Sequence, residues 1–256
     1  MVKFYRFVGF IAVGMQLSPA FAAPSHADLA DLTLAAPVIV RATIKGSERI
    51  TDQDSAGRAR MLITAGVDAA LVAPGSVPAT LSWLWDAPLD ARGKAPKPKG
   101  QTVLVWLAPP APDGKARLVS GDGQIAWDAS TEALVRGIAT EARSGAVPAV
   151  TGVTNGFRAD GTVPGESESQ FFLSTADGKA VTMVVTSKPG EVRRVAIAKG
   201  DVIDESAVRV MPGTLLRYRL ACYLPAVLPA GAGGGDAALA ADWMAALESL
   251  GPCGRS

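Results

Sequence analysis

The clearest structural signal in the chain lies at residues 170–187, which have the sequence QFFLSTADGKAVTMVVTS. Two runs rich in β-branched and aromatic residues flank Asp177-Gly178, a dipeptide typical of a tight hairpin turn. The next four residues, 188–191 (KPGE), have Pro and Gly where a type II turn requires them. A third apolar run follows at 192–198, so the pattern predicts a three-stranded antiparallel meander.

The segments on either side of this meander are predicted from their glycine content and their apolar spacing. The Gly-, Thr- and Pro-rich stretch 151–165 predicts a loop, and residues 214–223 predict a helix. A Pro- and Gly-rich break at 225–235 precedes a final amphipathic helix at 236–250. The second half, residues 146–256, is therefore predicted as a meander with two C-terminal helices.

The first half predicts a small β-barrel. Alternating apolar residues at 38–45 are typical of a half-buried strand, and similar runs recur downstream. Five or six short strands and one short helix, the latter beginning at the N-cap Asp28, indicate an OB-like barrel over 23–129. A helix at 130–145 connects this barrel to the second half, and the fold class is α+β, mainly β. The predicted strands after the first are 60–72, 80–85, 102–107, 117–120 and 124–127.

The N-terminus has the pattern of a secretory signal peptide, residues 1–22. Lys3 and Arg6 precede an apolar run at 7–17, and a small-residue exit ends at Ala22. We therefore expect export to the periplasm or the extracellular space. No second apolar run is long enough to span a membrane, so no membrane span is expected after cleavage.

Composition narrows the function classes further. The formal net charge is +1, and removal of Lys3 and Arg6 brings it to −1, without the excess of positive charge that nucleic-acid binding requires. The single histidine, His26, falls near the predicted mature N-terminus, so we expect a solvated tail residue rather than a catalytic base. Neither a multi-histidine metal site nor a dinucleotide or phosphate-binding loop is found, so no metal and no cofactor are expected.

Two cysteines, Cys222 and Cys253, form an even pair in a chain predicted to be exported. Such a pair is typically a disulfide in an oxidising compartment. We expect the bond to join the helix at 214–223 to the segment after the last helix.

Trp83 and Trp85 are two residues apart, so they share one face of their predicted strand. An exposed pair of indoles would bind sugars or bases by stacking, which makes the two residues the candidate binding site. Large aromatic residues on a half-buried strand are also ordinary core material. We expect this face to be mainly core.

Acidic residues supply the remaining candidates. Asp160, Glu166 and Glu168 cluster before the hairpin, and two carboxylates with displaced pKa values can hydrolyse a glycosidic bond without histidine. A second acidic group comprises Asp201, Asp204 and Glu205. Acidic residues on surface turns are common, so solvated side chains are the alternative for both groups.

Part of the second half resembles uncharacterised exported proteins of alphaproteobacteria. The resemblance rests on three segments, 152–158 (GVTNGFR), 161–173 (GTVPGESESQFFL) and 216–222 (LRYRLAC). It implies no known activity.

The first half is similar in layout to netrin-like OB barrels of secreted proteins. The similarity rests on 38–41 (VIVR), 67–72 (VDAALV) leading into Pro74-Gly75, and 103–107 (VLVWL). It implies a binding or scaffolding module.

Together these observations favour an exported, non-catalytic envelope protein that acts through binding or structure on an envelope protein or polymer. The alternative is a carboxylate-dependent hydrolase of an envelope polymer, with Asp160, Glu166 and Glu168 as its candidates.

Overall fold

A computed structural model describes residues 24–50, 55, 57–199 and 207–255 of the chain. Within these residues, two five-stranded antiparallel sheets and four α-helices form an α+β fold that is mainly β, as the sequence predicts. The predicted signal peptide, residues 1–22, lies outside the described residues.

The first sheet is a curled half-barrel. Its spatial order is β3-β2-β1-β4-β5, so the central strand β1 pairs with both β2 and β4. Three register shifts between β1 and β2 curl the sheet, because each bulge bends and twists its strand. The strands are β1 (Val38–Arg49), β2 (Arg58–Val72), β3 (Thr80–Pro88), β4 (Thr102–Leu107) and β5 (Gln124–Ala126).

The open edge of this half-barrel is bridged at one point. The Ser82 backbone N–H donates to the Gly114 carbonyl at 2.9 Å, and the Ala116 N–H donates to the Ser82 carbonyl at 2.8 Å. The strand predicted at 117–120 is reduced to an isolated bridge between Leu107 and Leu118. The segment before β5 therefore contacts β3 without becoming a full strand.

The second sheet is a continuous meander, with the spatial order β10-β9-β8-β7-β6. The three strands predicted around Asp177-Gly178 are confirmed as β7, β8 and β9. The strands are β6 (Val150–Asp160), β7 (Ser167–Thr175), β8 (Val181–Ser187), β9 (Arg194–Lys199) and β10 (Val208–Arg209).

The prediction of a loop over 151–165 is wrong, since most of it forms the edge strand β6. The glycines that suggested a loop serve close packing instead. A Cβ added to Gly156 would lie 3.0 to 3.1 Å from Ala232 O, a Leu239 methyl carbon and a Phe171 ring carbon. Only glycine at this position lets the packed segments of the same chain approach β6 so closely.

Four α-helices cover the sheets: α1 (His26–Ala35), α2 (Ala129–Arg143), α3 (Leu215–Tyr223) and α4 (Ala237–Leu250). The prediction that Asp28 caps α1 is wrong by three positions. Ser25 is the N-cap: its hydroxyl accepts a bond from the Asp28 backbone N–H, and the Asp28 carboxylate accepts one from the Ser25 backbone N–H. This capping box starts the helix three residues earlier than predicted. The predicted helices at 130–145, 214–223 and 236–250 are confirmed with small boundary shifts.

Helix α3 contributes to two apolar clusters. Leu220 packs with Phe171 and Trp243 between the second sheet and α4, and the two rings meet edge to face at 5.0 Å. Leu215 and Tyr218 pack with residues of α1, α2 and β4 in a second cluster. The same helix thus joins the half-barrel side of the fold to the meander side.

The predicted disulfide is confirmed, with the Cα atoms of Cys222 and Cys253 4.7 Å apart. It attaches the segment after α4 to the end of α3. Two residues later, the Arg255 guanidinium donates to both carboxylate oxygens of Asp31 on α1, at 2.6 and 2.9 Å. Among the described residues, no helix has the length and apolar content needed to cross a membrane.

Candidate functional site

Trp83 and Trp85 lie on the same face of β3, and that face points to the half-barrel interior. Trp83 is 1 % exposed, and its indole N–H donates to Gln124 Oε1 at 2.8 Å. Trp85 is half-buried against the same core. The core interpretation of Trp83 is confirmed, and ligand binding by the two indoles stays a prediction that this geometry disfavours.

The acidic candidates sit at one end of the β6–β7 hairpin. Asp160 ends β6 with its side chain 77 % exposed and forms an ion pair with Arg158. Glu166 is in the turn, where its backbone carbonyl accepts a bond from the Gly161 N–H at 2.8 Å. Glu168, on β7, accepts a bond from Gln170 Nε2 at 2.9 Å. Asp160 is paired with Ser167 and Ala159 with Glu168, so Asp160 and Glu168 lie on opposite faces of the hairpin. The hairpin therefore does not bring the three acids together on one surface.

The second predicted acidic group, Asp201, Asp204 and Glu205, lies outside the described residues.

Four arginines that sequence reasoning passed over share one recess of about 460 Å³ at the end of the second sheet. They are Arg193, Arg194, Arg209 and Arg217, and we call this feature the arginine recess. One carboxylate, Glu191, also belongs to its described lining. The apolar part of the lining includes Val195, Val210, Pro212 and Leu250.

Three separate segments bring these arginines together. The turn at 188–191 places Arg193 and Arg194 at the entry to β9, and Gly190 takes the positive φ of 74° that this turn needs. Arg209 ends the edge strand β10. Arg217 lies in the first turn of α3, where the Thr214 hydroxyl accepts a bond from its backbone N–H at 3.2 Å.

Two of the four guanidinium groups are already compensated by carboxylates. Nε of Arg193 lies 3.0 Å from Oδ1 of Asp242 and 3.1 Å from the Ser187 hydroxyl. Nη2 of Arg194 lies 2.9 Å from Oε2 of Glu191 in an exposed pair. These two cations add little net charge to the recess.

Asp242, on α4, is a buried carboxylate that holds Arg193 of the recess in place. It accepts bonds from the Ser169 hydroxyl at 2.7 Å and from Nε of Arg158 at 3.3 Å, in addition to the contact with Arg193. Burial lowers the pKa of Arg158, but its hydrogen bonds to Asp160 and Asp242 outweigh that effect and raise the pKa overall. Arg158 therefore stays charged beside Asp242.

Arg209 and Arg217 have no carboxylate partner among the described residues. Arg217 donates from Nη2 to the Pro252 backbone carbonyl at 3.2 Å, which holds its side chain beside the C-terminal end of α4. Arg209 makes no ion pair within the described part of the chain. The arginine recess is thus a concave, positively charged site that can bind an anion.

The expectation that His26 is a solvated tail residue is wrong. His26 is the first residue of α1 and is partly buried, and its burial lowers the pKa of the imidazole. The Glu141 carboxylate acts in the opposite direction, whereas Arg217 lowers the pKa further. Glu141 itself accepts a bond from the Leu215 backbone N–H at 2.9 Å, so it caps α3 from helix α2.

The arginine recess could not be found from net charge, because a near-neutral total hides a local excess. The available signal was the Arg193-Arg194 pair directly after a predicted turn. Arg209 and Arg217 are distant in sequence and join that pair only through the sheet order and the packing of α3.

No protein-family model matches this chain, and a comparison with curated proteins gives no match either. The resemblances stated for the two halves therefore stay predictions.

Proposed function

We propose that this chain is an exported, non-catalytic envelope protein that acts by binding, with the arginine recess as its binding site. The observation that carries the proposal is the pair Arg209 and Arg217, two guanidinium groups in a concave site without a carboxylate partner among the described residues. A surface of that kind attracts and orients an anion.

Export is supported by two independent features. Residues 1–22 have the pattern of a signal peptide, and Cys222 and Cys253 form a disulfide, which persists in oxidising compartments. The layout of the first half, similar to secreted OB barrels, is consistent with a binding module.

The carboxylate hydrolase is supported less well. A glycosidase needs two carboxyl groups on either side of the scissile bond, usually within a cleft. Asp160 is instead 77 % exposed and paired with Arg158, and the register of the β6–β7 hairpin puts Glu168 on the opposite face of the sheet from Asp160.

The test asks whether the protein retains an envelope component without cleaving it. The protein recovered after export is immobilised and exposed to envelope extract, and the mass of the retained polymer or protein is compared before and after incubation. We expect an anionic component to be retained with unchanged mass. Shortened products that disappear in a Glu166→Gln/Glu168→Gln variant would instead establish the hydrolase.

A further inference from the structure

The charge of the arginine recess is concentrated on two residues. Arg193 is balanced by Asp242 of α4, and Arg194 is balanced by Glu191. Arg209 and Arg217 remain, so among the described residues the recess has a surplus of two positive charges. A ligand with two negative charges on one compact group would match that surplus.

The donors that remain suit the oxygens of a phosphate or a carboxylate. Each guanidinium presents five N–H groups in a planar fork that fits phosphate or carboxylate oxygens. Arg217 uses one of its nitrogens on the Pro252 carbonyl at 3.2 Å, and that contact holds the side chain in place without consuming its other donors. A site that is held in position before the ligand arrives binds with a smaller entropy cost.

The apolar lining distinguishes this recess from an ordinary charged surface. Val195 and Val210 pack against the core of the second sheet, and Leu250 belongs to that core. They give the arginines a wall with low polarity, and a wall of that kind strengthens electrostatic attraction relative to open water.

We propose that the arginine recess binds a phosphoryl group in its dianionic form, with Arg209 and Arg217 as the main contacts. A phosphate ester carries close to two negative charges above its second pKa of about 6 and offers three acceptor oxygens. The group can belong to a soluble phosphate or to a lipid headgroup that ends in a phosphate monoester, such as phosphatidic acid, and both carry the same dianionic group. This inference rests on the proposed binding function and names its ligand class.

The test titrates the purified exported protein with inorganic phosphate at pH 8 and low salt, by isothermal titration calorimetry. We expect wild type to bind phosphate, and the Arg209→Gln/Arg217→Gln variant to bind about tenfold more weakly or worse, since each lost contact is a charge-assisted hydrogen bond. Arg92→Gln, which removes an exposed arginine outside the recess, should leave the Kd unchanged. The Arg209→Lys/Arg217→Lys variant keeps both positive charges but loses the planar guanidinium forks. Its Kd for phosphate should lie between those of wild type and the double Gln variant.

A second experiment distinguishes a soluble phosphate from a lipid headgroup as the ligand. The protein is sedimented with vesicles of phosphatidylcholine, with and without phosphatidic acid. Sedimentation that requires phosphatidic acid and is abolished by the double Gln variant supports a lipid headgroup. Phosphate binding without vesicle binding supports a soluble phosphate.

Three results would overturn the inference: binding of neither probe, equal binding by wild type and the double Gln variant, or acetate binding as tightly as phosphate. The envelope-extract experiment tests the proposed binding function separately. If wild type and the double Gln variant retain the same component, the protein binds but not through this recess. If neither retains anything, the binding function fails as well.

Discussion

Nε of Arg193 lies 3.0 Å from the carboxylate of Asp242, whose side chain is only 3 % exposed. This contact links helix α4 to the turn between β8 and β9. It also couples the stability of the second half to the shape of the arginine recess, because Arg193 lines the recess and Asp242 supports it from the interior.

Asp242→Asn should destabilise the fold by about 1–3 kcal/mol, the usual cost of leaving buried polar groups without their partner. The substitution keeps the shape of the side chain but removes the charge that Arg158 and Arg193 share, and it weakens the acceptor for the Ser169 hydroxyl. Urea unfolding measures the change. Asp122→Asn, on an exposed turn, is the control and should change stability by less than about 0.5 kcal/mol. Equal stabilities for the two variants would show that the Asp242 contacts contribute nothing.

Trp83→Ala should cost about 3–5 kcal/mol, because the ring is fully buried in the half-barrel. Trp85→Ala should cost less, since Trp85 is half-buried. Leu84 lies between them on the opposite face and is 46 % exposed, so Leu84→Ala serves as the matched control. Unfolding of all three in urea checks the order of stabilities. A Trp83→Ala protein as stable as wild type would reopen the ligand-platform interpretation.

Loss of the disulfide should lower the free energy of unfolding by about 3–4 kcal/mol in the chain-entropy description, given a sequence separation of 31 residues. The variant is Cys222→Ser/Cys253→Ser, compared with wild type in the presence and absence of a reductant. The reductant should shift the unfolding midpoint of wild type only. Two free thiols in the native exported protein would contradict the assignment.

His26 should make stability depend on pH. Burial lowers the pKa of His26 in the folded protein below its ordinary value of 6.5, so the unfolded chain binds the proton more readily. The contribution is therefore complete above about pH 6.5 and is lost as the pH falls through the lowered value. Urea unfolding of wild type and His26→Gln between pH 5 and 8 measures this dependence. A pH dependence that the substitution leaves unchanged would show that another group is responsible.

Much of the fold follows from local sequence patterns. The Asp177-Gly178 turn and the alternating run at 38–45 predict strands correctly, because turn chemistry and a period of two are short-range features. The sequence does not predict the edge strand β6, because glycines such as Gly156 are typical of loops. In the fold, Gly156 instead gives room for α4 and the 3-10 turn at Ala230–Ala232 to pack against β6.

The candidate site was predicted less well, for a different physical reason. A binding recess depends on which segments meet in space, and Arg193, Arg209 and Arg217 meet only because β10 joins the edge of the second sheet and α3 packs beside α4. His26 shows the same effect, because the capping box at Ser25 extends α1 to include His26, and the charged groups that act on it, Glu141 and Arg217, come from α2 and α3.

Chemical-shift changes at the arginine side chains test the central claim most directly. In a titration of the protein with inorganic phosphate, followed by NMR of the guanidinium Nε–H groups, the resonances of Arg209 and Arg217 should shift and saturate together, and that of Arg92 should not move. The shifts should weaken as sodium chloride is added, because salt screens exposed charges. Equal, non-saturating shifts at all three arginines, or none at Arg209 and Arg217, would contradict a built anion site in the recess.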